Sequence, residues 1–106
     1  MKFSVVCLDH KKIGVEDLET MQFGGQTARI RRIKATVKAG NYTIGVPFEA
    51  ADRRAAQTMA RTHRKPDGKF DIGDLLHDHD DSVWMFDYTG WVNVTKQLKK
   101  LIPQLP

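Results

Sequence analysis

Between residues 33 and 48 the apolar side chains keep a period of two, interrupted once at Gly40-Asn41. Ile33, Ala35 and Val37 alternate with Arg32, Lys34, Thr36 and Lys38. Alternation of this kind puts the two sets on opposite faces of a β-strand. Gly40-Asn41 has the chemistry of a type II′ turn, with glycine at the first central position. That turn would oppose Ala39 with Tyr42, Val37 with Ile44, Ala35 with Val46 and Ile33 with Phe48. Every pair is apolar, so pattern and turn agree on one register. The expectation is a β-hairpin whose outer face carries Arg32, Lys34 and Lys38. Ile30 is out of phase with Ile33, which predicts a bulge or a strand start near Arg31-Arg32.

The rest of the chain is read around this hairpin. Lys2–Leu8 alternates Phe3, Val5 and Cys7 with Val6 and Leu8. Apolar residues on both faces predict a central strand covered on both sides. Residues 14–22 read as a short helix with Glu16 and Asp17 in its first turn, Leu18 and Met21 as core contacts, and Gly24-Gly25 as its end. Residues 49–63 read as a second helix with Ala51, Ala55, Ala56, Met59 and Ala60 on one side. Its other side carries Arg53, Arg54, Gln57, Arg61 and Arg64. Residues 65–69 predict a β-turn, and residues 70–82 a helical turn or an irregular loop around Leu75-Leu76. Residues 83–88 predict a strand with Trp84, Phe86 and Tyr88 on one face, and residues 91–94 a short continuation. Residues 95–101 predict a helix that Pro103 stops, leaving residues 102–106 as a frayed tail.

The resulting order is β-α-β-β-α-β-(β)-α. It predicts one small α+β domain spanning residues 1–106, with an antiparallel or mixed sheet of four or five strands and two to three helices packed on it. A hydrophobic fraction of 41% with 28% charged residues belongs to globular chains, not disordered ones. No window approaches the 18 apolar residues of a membrane span, and the first residues lack the pattern of a secretory signal. The single cysteine, Cys7, suits a reducing cytoplasm. Its place in an apolar strand predicts a buried, inert thiol, and not a nucleophile working with His10.

The net charge of +4 conceals a strong asymmetry. Residues 27–65 hold ten Lys/Arg against two acids, about +8, and residues 66–90 hold one Lys against seven Asp, about −6. The basic block predicts a surface built from Arg32, Lys34 and Lys38 on the strand and Arg53, Arg54, Arg61 and Arg64 on the helix. If the two share a side, they form one patch able to follow a phosphate backbone without reading bases. Trp91, beside Gly90, is the aromatic most suited to a contact role, either stacking on a base or anchoring a protein interface.

His77, His79 and Asp81 would share a face in an extended chain, the spacing of a divalent-metal site. His63 and His10 are candidate further ligands, but nothing in the sequence brings them close, and no metal or other cofactor is expected. His77-x-His79-x-Asp81 resembles the metal motif of the metallo-β-lactamase fold, which needs about twice this length. Asp67-Gly68-Lys69 after Pro66 resembles part of a restriction-type nuclease signature, but a β-turn accounts for the same residues. The run VVCLDHKKIGVEDLE resembles the N-terminal strand and loop of glutamyl-tRNA reductases. It lacks that family's catalytic cysteine segment and carries no activity over.

The sequence therefore predicts a small non-enzymatic binding protein that contacts nucleic acid independently of sequence. The alternative is an inhibitor or accessory protein, of the sort phages and mobile elements encode, that binds a protein of nucleic-acid machinery through its opposed charge patches. A metal-dependent hydrolase at the His/Asp segment is the weakest reading.

Overall fold

The structure is a computed structural model. It describes residues 1–45, 47–65, 69–80 and 82–106, and of residues 44, 63 and 64 the backbone alone. Its class is the expected α+β: an antiparallel sheet with helices on both faces.

The strand β1 (Lys2–Leu8) is interior to the sheet, and its residues from Phe3 to Val6 are buried. Phe3 and Val5 enter one core cluster and Val6 and Leu8 the other, as a strand covered on both sides requires. Short strands β2 (Tyr42–Ile44) and β3 (Phe48–Glu49) pair in succession along one edge of β1. On the other edge lie β4 (Leu75–Asp78), β5 (Ser82–Asp87) and β6 (Gly90–Asn93), in the order β2-β1-β4-β5-β6. Every pairing is antiparallel.

The first face carries α1 (Val15–Phe23), α2 (Gln26–Lys38) and the short α4 (Thr95–Leu98). Their apolar residues Met21, Ile33, Val37 and Leu98 pack on Val6, Leu75, Val83 and Met85. The second face carries α3 (Arg53–Met59), which Asp52 caps by accepting a hydrogen bond from the Ala55 amide at 2.8 Å. The helix continues as a π-helical turn, Ala60–Arg64, closed by the Lys65 amide on the Ala60 carbonyl at 2.9 Å. Ala56 and Ala60 bring this helix close to Phe3, Val5 and Leu76.

The predicted hairpin does not form. Its first arm is the helix α2, and residues 42–44 pair instead with β1. The cause is the residue that the alternation left out of phase. Arg29, Ile30, Ile33 and Val37 recur at helical spacing and form the inward stripe. Gly40 is a helix stop, not a hairpin turn, with φ of 72° in the left-handed region. Its amide donates to the Val37 carbonyl and that of Asn41 to Thr36, each at 3.1 Å, which is the Schellman arrangement. The proposed pairing of Ala35 with Val46 lies outside the described residues.

The loop expected around Leu75-Leu76 is instead the strand β4. Both leucines are fully buried, one in each core cluster, between β1 and β5. The aspartates on either side misled because Asp74 and Asp78 are buried, not solvated. Asp74 is wholly buried and accepts from the amides of Leu8 at 2.9 Å and Asp71 at 2.8 Å. With β4, and with β2 and β3 in place of the second hairpin arm, the sheet has six strands among the described residues, and α2 raises the three predicted α-helices to four. Tyr88 lies beyond β5 and does not share the face of Trp84 and Phe86; its hydroxyl donates to the Gln22 carbonyl. The last residues form a 3-10 turn, Ile102–Gln104, with Ile102 and Leu105 packed on the first-face core. No helix among the described residues is long and apolar enough to cross a membrane.

Candidate nucleic-acid interface

The inward stripe of α2 sets what its outer side presents. With Ile33 and Val37 against the sheet, Arg31, Lys34 and Lys38 fall at i, i+3 and i+7 along one line of the helix surface. At 1.5 Å per residue this line spans about 10 Å. The C-terminal segment runs beside it. Lys34 and Lys38 share a groove of about 450 Å³ with Lys96, Lys99 and Lys100. Arg31 and Lys34 line an adjoining hollow of about 340 Å³, and Gln97 is common to both. Among the described residues no acidic side chain lines either one. None of the six cations forms an ion pair with a described acid. Uncompensated cations in a shallow groove create a positive field that concentrates anions.

Arg32 is turned away from this groove and pairs with Asp17 of α1 at 3.0 Å. Arg53, Arg54 and Arg61 belong to the helical segment on the second face. Arg53 places its guanidinium 3.8 Å from the centre of the Trp84 ring. Arg54 and Arg61 border a separate groove with Phe70, Phe86 and Trp91. The side chain of Arg64 lies outside the described residues.

One continuous basic patch is thus not what forms. Leu75 packs beneath α2 and Leu76 beneath α3, and successive strand residues point to opposite faces. Lys34 and Lys38 are therefore separated from Arg53, Arg54 and Arg61 by the sheet itself. What joins the α2 cations is Lys96, Lys99 and Lys100, which the sequence reading did not select. Their own signal was available, since the spacing i, i+3, i+4 puts three lysines on one side of a helical turn.

The histidine pair is brought together at the end of β4, His77 within the strand and His79 just past it, with ring centres 4.5 Å apart and nearly parallel. His79 Nε2 lies 2.6 Å from the Ser4 hydroxyl. His77 Nδ1 is buried without a hydrogen-bond partner among the described residues. Burial, and then the neighbouring His79, hold the His77 pKa below the usual histidine value. Asp81 lies outside the described residues, as does the side chain of His63. His10 is elsewhere, 2.9 Å from Asp71. Among the described residues no three His, Cys, Asp or Glu side chains converge as a metal site.

Cys7 is half-buried against Lys65 and Asp74. Burial, then the Asp74 charge, push its thiol above the ordinary value, as expected of an inert cysteine. Lys65 reaches Asp74 at 2.5 Å with 7% of its side chain exposed. Burial alone would lower the Lys65 pKa, but the Asp74 hydrogen bond and charge outweigh it and raise it. The turn at Pro66-Asp67-Gly68 lies outside the described residues.

Comparisons with protein-family models, with curated proteins and with solved structures each found no match.

Proposed function

We propose that this protein is a non-enzymatic nucleic-acid-binding module that grips the phosphate backbone in the groove between α2 and the C-terminal segment. One observation carries the reading: Arg31, Lys34 and Lys38 meet Lys96, Lys99 and Lys100 with no described acid among them. Two segments about sixty residues apart converge on one cationic surface. Ordinary solvated faces interleave both signs. Flexible lysines hold phosphates as point charges, so this surface suits position-independent contact and not base readout. A reducing cytoplasmic setting fits the single half-buried thiol of Cys7.

The test is an electrophoretic mobility shift across a salt series. Six phosphate contacts give a slope of log affinity against log salt of about −5 on duplex DNA, roughly a thousandfold loss between 50 and 200 mM. Replacing Lys34 and Lys99 by alanine together reduces that slope by about 2. A complete lack of binding at about 50 mM salt rejects the reading.

A second reading, contact with a protein partner, is favoured by a different corner. Phe23 is 80% exposed and Tyr88 66%, and the Tyr88 hydroxyl bonds to the carbonyl of Gln22 beside Phe23. Large exposed aromatics are enriched at protein interfaces relative to the rest of the surface. Capture of a single host protein from nuclease-treated lysate, abolished by Phe23→Ser, supports this reading. Capture that Phe23→Ser leaves intact removes the argument from this corner.

A further inference from the structure

The second face of the sheet holds a feature that the lysine groove does not use. α3 covers β1 and β4, where Ala56 and Ala60 sit on Val5 and Leu76. Towards β5 and β6 the face carries Phe86 and Trp91, directly paired in register and only half-buried. Phe70 stands against both, with ring centres 5.4 Å from Phe86 and 4.9 Å from Trp91. Phe86 and Trp91 themselves meet edge to face at 5.4 Å. Three large rings left half-open in so small a domain run against the tendency to bury them.

These rings border a groove of about 340 Å³ whose helical wall includes Arg54, Gln57 and Arg61. The three recur at i, i+3 and i+7, so the helical segment presents one stripe to the rings. No described acid lines the groove or pairs with either arginine. Aromatic clusters otherwise attract cations. Two unpaired guanidinium groups beside this one repel them and select a ligand that is both planar and anionic.

We propose that this groove is a stacking site for an unpaired base of single-stranded nucleic acid, with Arg54 and Arg61 on its phosphates and the Gln57 amide within reach of the base edge. The proposal rests on the nucleic-acid reading and adds its substrate class. Stacking on aromatic rings tolerates any base, because each has a π-face, and arginine forks hold phosphate oxygens in pairs. A duplex keeps its bases stacked inside and cannot fill the groove. It is left to the lysine groove on the opposite face. The two faces together predict a module that favours single strands or single-strand–duplex junctions.

Trp91 reports on the site. The chain has two tryptophans, and Trp84→Phe leaves Trp91 as the single tryptophan, excited selectively over the tyrosines. A twelve-nucleotide oligo-thymidylate is titrated into this variant at low salt, beside a twelve-base-pair duplex. The expected result is saturable quenching of Trp91 by the oligonucleotide and none by the duplex. In otherwise wild-type protein Trp91→Ala lowers single-strand affinity about tenfold and leaves duplex affinity unchanged. Arg61→Gln, at an exposed helical position, carries the same comparison if Trp91→Ala does not fold. Single-strand affinity untouched by Arg61→Gln, or Trp91 emission untouched by the oligonucleotide while the duplex still shifts in a gel, overturns this proposal and leaves the lysine-groove reading standing. Binding of neither nucleic acid overturns both.

Discussion

Arg29 donates to Asp87 at 2.6 Å where the two side chains are only 4% and 7% exposed. The same guanidinium donates to the Met21 carbonyl at 2.6 Å and the Gly24 carbonyl at 2.7 Å. It therefore ties the end of α1, the start of α2 and the end of β5 to one point. Arg29 is thus a structural residue, although it lies in the most basic stretch of the chain.

Removing one member of this pair strands a buried charge. Asp87→Ala is expected to cost about 3–5 kcal/mol, and Arg29→Ala a similar amount. Replacing both by apolar residues of similar volume recovers part of the loss. Urea denaturation monitored by circular dichroism checks this. A cost below about 1 kcal/mol for either single change contradicts the buried pairing.

Gly40 decides whether residues 26–38 stop as a helix. Its φ of 72° is in the left-handed region, and an added Cβ there would meet nothing within 4 Å. Gly40→Ala therefore pays conformational strain alone, about 1–2 kcal/mol, and Gly40→Asn less. Thermal melts of the two variants rank them, and equal stability of alanine and glycine at this position argues against the left-handed cap.

His77 makes stability depend on pH. Its folded pKa is lowered by burial and by His79, so the unfolded chain takes up the proton first as pH falls. Stability from this group is complete above the unfolded value near 6.5 and is lost as pH drops through the folded value. Urea midpoints at pH 7.5 and 5.5 are expected to fall in the wild type. In His77→Gln they fall less, and equal drops in both proteins remove His77 from the account.

The pair Lys65–Asp74 acts at the other end of the scale. The folded Lys65 pKa is raised, so its contribution is present at neutral pH and is lost as pH climbs through that value. Lys65→Met is expected to flatten the alkaline limb of a stability–pH profile above about pH 10. The thiol of Cys7, also held above its ordinary value, is expected to react slowly with a thiol reagent at pH 8 and quickly in urea. Rapid reaction of the native protein contradicts the burial of this site.

The two long strands β1 and β5 were legible because each is a short run with apolar residues on both faces, the pattern of a strand covered on both sides. The arginine side of the 53–64 helical segment was legible because Ala56 and Ala60 leave only one orientation for Arg54, Gln57 and Arg61. α2 was not. Ile33, Ala35 and Val37 satisfy a period of two, while Ile30, Ile33 and Val37 satisfy 3.6, and Gly40 serves a hairpin turn and a helix stop equally well. β4 was hidden for another reason. Aspartates flank its leucines, and only contacts with Leu8, Asp71 and Lys65 make Asp74 an interior residue.

The amino-acid sequence alone determined the class of the fold, the two-sided burial of β1, and the separation of charge between residues 27–65 and 66–90. These depend on local period and composition, which need no partner to be read. The tertiary structure alone decided that residues 26–38 are helical, that the lysines of α2 and the arginines of α3 lie on opposite faces, and that Lys96, Lys99 and Lys100 complete the first of these surfaces. A local period says which side chains share a face. Which faces then meet depends on long-range packing of both sides of one sheet, and on this chain that packing splits a single basic stretch in two.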